Sequence, residues 1–75
     1  MREERDLIRL MLYRNSLSNA WLINRLAERN ISTEKTEFSS VLRGVRTGAK
    51  AESIILESIK ILEYYEKCFP LANAN

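Results

Sequence analysis

The sequence predicts a small all-α domain of four helices. Three observations predict it. Apolar residues recur at helical spacing along nearly the whole chain. No Val/Ile/Thr-rich run alternates with polar residues between turn residues. No Gly occurs before position 44, and the one Pro stands at position 70. At 75 residues the chain is one domain, expected over residues 1–69, with 70–75 as a frayed tail. A chain of this size buries only about 60% of the surface its unfolded form exposes, so the core is small.

The first helix is expected over residues 3–14. Glu3, Glu4 and Asp6 stand at its start and Arg14 at its end, as the helix dipole favours. Leu7, Ile8, Met11 and Leu12 make one apolar stripe, and Asn15-Ser16 is the expected stop. Ser18 is the expected N-cap of a second helix, residues 19–29, with Leu22, Ile23, Leu26 and Ala27 as its apolar stripe. Asn30 suits the left-handed residue that ends a helix, and Ile31 returns to the core. Trp21 lies off the stripe; core packing and a partly exposed contact are both open to it.

The third helix is expected over residues 34–43, ended by Gly44. On a wheel of about 100° per residue, Phe38, Val41 and Leu42 gather on one side. Lys35, Thr36, Ser39, Ser40 and Arg43 fall in an opposite arc of about 140° that holds no acid and no large apolar group. Glu37 lies beside that arc. The loop VRTGAK follows, with Arg46 and Lys50 and no acid. The fourth helix is expected over about residues 51–68, with Ile54, Ile55, Ile59, Ile61, Leu62 and Tyr65 on a wide apolar face. Leu56 and Tyr64 point away from that face and, with Phe69, suggest a seam for a homodimer.

Composition removes several function classes. The chain has no His and one Cys, Cys68. It therefore has no Ser/His or Cys/His pair, no intrachain disulfide and no Cys-rich zinc site. No enzyme, cofactor or metal is expected. No apolar run approaches the ~20 residues of a membrane span. The charged start MREERD precedes no signal-peptide core, so the expected location is cytoplasmic. Charge is uneven: residues 1–50 carry ten Lys/Arg against six Asp/Glu, and residues 51–75 carry two against four. A basic half beside an acidic half suggests one charged working face.

The outward arc of the third helix is the best candidate for that face. A helix fits the major groove of B-DNA, where Arg43 would meet a guanine edge and small hydroxyls would allow close approach. Lys35, Arg46 and Lys50 suit phosphates.

The leading amphipathic helix, Leu17-Ser18-Asn19, the segment FSSVLRG at 38–44, the basic loop and the apolar IILESIKIL at 54–62 together resemble the lambda-repressor/Cro-like helix-turn-helix family. The resemblance covers residues 3 to about 65. The connection AERNISTEKTE is longer than that family's usual tight turn. The resemblance implies a phage- or prophage-type transcriptional regulator that binds duplex DNA, with Ser18 and Asn19 meeting a phosphate at a helix N-terminus. It implies that Lys35, Thr36, Ser39, Ser40 and Arg43 face bases or nearby phosphates, with Arg46 and Lys50 flanking them. It implies a dimer on a near-palindromic site. The rival reading is a protein-interaction module of the same fold that binds another regulatory protein. The small net charge of +2 favours this rival.

Overall fold

A computed structural model describes residues 1–70. Helix α1 covers Arg2–Arg14, α2 Asn19–Glu28, α3 Lys35–Leu42 and α4 Ala49–Cys68. No strand occurs among the described residues, as the sequence predicts. The expected tail lies, apart from Pro70, outside the described residues.

Helices α1, α2 and α3 end by one device. In each, the first residue after the cap is left-handed: Ser16 at φ 57°, Asn30 at φ 66° and Gly44 at φ 79°. The next amide turns back to the carbonyl of the last helical turn: Leu17 N to Leu12 O (2.8 Å), Ile31 N to Leu26 O (3.0 Å) and Val45 N to Ser40 O (3.0 Å). A second bond runs from the left-handed residue itself, at 3.0–3.1 Å in all three. This pair of bonds is the Schellman motif. Leu17 and Ile31, the residues just past it, pack against the core, whereas Val45 is exposed. At the other end of α2, Ser18 caps as its side chain predicts, with Oγ accepting from the Trp21 N–H at 3.1 Å.

The core is built from one stripe of each helix. Ile8, Met11 and Leu12 come from α1, Leu22 and Leu26 from α2, Phe38, Val41 and Leu42 from α3. Helix α4 packs against all three others and supplies Ala51, Ile54, Ile55, Ile61 and Leu62. Several stripe residues differ from expectation. Ala27 is exposed, and Leu7, Ile23, Ile59 and Tyr65 are only half-buried. Trp21 packs against the core and is half-buried; its ring meets Tyr65 edge-on at 5.3 Å.

No helix among the described residues is long and apolar enough to cross a membrane.

Candidate nucleic-acid interface

Helix α3 has eight residues, and its buried side is filled by Phe38, Val41 and Leu42. That fixes the opposite side outward. Lys35, Thr36 and Arg43 are exposed and Ser39 is half-buried. Lys35, Ser39 and Arg43 are spaced four apart, so they form one line along the helix, with Arg43 as its C-cap.

Ser40 does not belong to that face. It is 9% exposed, and its carbonyl accepts from the amides of both Val45 (3.0 Å) and Arg46 (3.2 Å) as the chain turns back across it. The position that the wheel places outside is thus buried at the end of the helix, where the chain closes on its carbonyl. Lys50 is corrected in a second way: it lies in the first turn of α4, not in the loop.

The remaining candidates divide by their partners. Arg46 and Lys50 both pair with Glu37 Oε2, at 3.7 and 3.3 Å. The other oxygen of Glu37 accepts from the Thr33 hydroxyl at 2.7 Å. That hydroxyl first, then Lys50 and Arg46, hold the Glu37 carboxyl below the usual carboxylate range against the opposing effect of burial. These groups line an open concavity of ≈ 400 Å³, with Ser32, Glu34 and Thr36 completing it. Lys35 and Arg43, by contrast, have no acidic partner among the described residues.

Most cations elsewhere are tied to acids. Arg9 pairs with Asp6, Arg14 with Glu66, Arg25 with Glu28, and Arg29 and Lys60 with Glu57. Ser18 is exposed but its Oγ is used in capping, and Asn19 beside it is half-buried. The first amides of α2 have no acceptor within the helix, as at any helix start. Neither side chain hydrogen-bonds to α3 among the described residues.

Two residues that sequence reasoning missed reach the far end of the α3 line. Arg9 donates from Nη2 to the Leu42 carbonyl at 2.7 Å, where the dipole of α3 favours a cation. The Arg5 guanidinium packs over Gly44, within 2.8 Å of where a Cβ would stand. Their spacing of four on α1 put them on one line, but nothing in the sequence says what that line faces.

The suggested dimer residues Leu56, Tyr64 and Phe69 are 48%, 64% and 62% exposed. Tyr64 and Phe69 share a groove of ≈ 290 Å³ with Trp21, Arg25, Ile61 and Tyr65, and Leu56 is not among its lining residues.

No protein-family model, no curated protein and no solved structure matches this chain.

Proposed function

We propose that the chain binds duplex DNA as a small transcriptional regulator, with α3 in the major groove. The observation that carries this reading is the line Lys35–Ser39–Arg43 with Thr36 beside it. It presents two cations without acidic partners and two short hydroxyls on a helix whose other side is fixed in the core. Such a face supplies a bidentate donor for a guanine edge and cations for flanking phosphates. Arg46 and Lys50 extend it toward the backbone. Ser18 and Asn19 offer the start of α2 to a further phosphate. The regulator is of the phage or prophage repressor type, acts in the cytoplasm and works as a homodimer through Leu56, Tyr64 and Phe69.

The test is a titration of a selected duplex and a scrambled one at several salt concentrations. A chain that neutralises Z phosphates loses affinity with a log–log slope of about −0.9Z. Arg43→Ala is expected to cost about 1–3 kcal/mol on the selected duplex and to relax preference at one base position. Lys50→Ala is expected to weaken both duplexes alike and to reduce the slope by about one. Flat salt dependence in the wild-type chain overturns the reading.

A second reading has its own observation. The groove of Trp21, Tyr65 and Phe69 is apolar and aromatic, which suits a regulatory protein as the partner. On that reading salt has little effect on binding, and substitutions at Trp21 rather than Arg43 abolish it.

A further inference from the structure

Glu37 is an acid in the wrong place for a surface that meets phosphates. It lies 18% exposed, beneath Arg46 and Lys50, whose side chains are 55% and 59% exposed. Its three partners come from three different segments. Thr33 belongs to the connection between α2 and α3, Arg46 to the α3–α4 loop and Lys50 to the first turn of α4.

One contact to Glu37 does not exhaust either cation. An ammonium has three donors and a guanidinium five, and the larger part of both side chains faces solvent. The Glu37 carboxylate lies beneath two cations, and the exposed Glu34 on the same concavity brings its lining to two acids and two cations. A phosphate that meets only one of the cations feels the carboxylate nearly in full. A phosphate seated outside both meets two positive charges nearer than the Glu37 carboxylate.

We propose that Glu37 is a specificity-determining positioning residue of the α3 face, holding Arg46 and Lys50 in one register and repelling phosphates that do not fit between them. The inference rests on the DNA-binding reading and adds a discriminating element to it. Affinity for arbitrary duplex comes almost wholly from phosphate contacts, so an acid among them lowers that background most. Rejection of wrong partners by like charge is a general route to specificity.

The alternative role is a structural staple. Glu37→Gln separates the two, because it keeps the size and an oxygen for the Thr33 hydroxyl and removes only the charge. Glu37→Asp keeps the charge and shortens the reach. Wild type and both variants are titrated against a duplex selected from a random pool by the wild-type chain, and against a scrambled duplex. Each titration is run at several salt concentrations, with the helical spectrum recorded alongside.

Glu37→Gln is expected to bind the scrambled duplex about three- to tenfold more tightly, with a salt slope steeper by about one. Its affinity for the selected duplex rises less, so the preference falls. Glu37→Asp keeps the wild-type slope. The proposal is overturned if Glu37→Gln shows wild-type slope and preference. Equal weakening on both duplexes, or loss of the helical spectrum, also overturns it, since the carboxylate is then a staple of the fold. Absence of salt-dependent binding in the wild-type chain removes the DNA reading and this inference with it, an outcome visible without any variant.

Discussion

Ser58 lies on α4 with none of its surface exposed and its Oγ without a hydrogen-bond partner. A buried hydroxyl in that state costs stability, because folding strips its water and returns nothing. Ser58→Ala is therefore expected to raise stability by about 1 kcal/mol, read as a shift in the denaturant midpoint at constant slope. Phe38 is the opposite case. It is the largest fully buried side chain, and Phe38→Ala is expected to cost about 3–5 kcal/mol. That approaches the whole stability of a small domain, so the variant's melting transition should drop steeply or vanish. Gly44 is set by its backbone. At φ 79° a Cβ costs about 1–2 kcal/mol whatever the surrounding space. The contact with Arg5 adds less, since the end of a long side chain moves aside. Gly44→Ala should lower the melting temperature and displace Arg5 from the end of α3.

The helices themselves were largely legible in the sequence. Ser18 and Asn30 act as their residue types favour, and Gly44 ends α3 as expected. Ser16 takes the same left-handed turn, but serine has no marked preference for it, so only a stop was readable there. The outer face of α3 was legible except at its edge. Ser40 sits where an eight-residue wheel is ambiguous, and its burial is a tertiary fact. The pairing of Glu37 with Arg46 and Lys50 was hidden for the same reason, since it depends on where α4 begins. Element ends also carry the pH dependence. The Arg14 guanidinium, then the Asn15 amide, hold the Glu66 carboxyl of α4 below the usual range, joining the end of α1 to the end of α4. A carboxylate with a depressed folded pKa contributes stability above its unfolded value, about 4.3, and loses it as pH falls through the folded one. Glu37 and Glu57 have the same sign. Stability should decline on acidification below about pH 4.5, and Glu66→Gln should flatten that decline while lowering the plateau at neutral pH.

At the scale of the molecule, the extents are 38 × 25 × 17 Å, and α4 with its 20 residues is the element that reaches all three others. Its exposed Leu56 and Tyr64, with Phe69 beyond its end, leave apolar surface that one copy of the chain does not cover. Sedimentation is expected to show a mass that rises with concentration; a single-copy mass at high micromolar concentration would remove the homodimer. The chain also carries its own optical probe. Trp21 is the one tryptophan, wedged against Tyr65 with the Arg25 guanidinium 5.9 Å from its ring. It lines the aromatic groove and is not among the residues of the concavity beside α3. At a chain concentration where pairing through Tyr64 and Phe69 is already complete, a duplex seated on α3 should therefore leave its emission colour nearly unchanged. A regulatory protein entering the groove should dry the indole and shift that colour to the blue. The two functional readings are thus separable with an unlabelled chain, by the wavelength at which one residue glows.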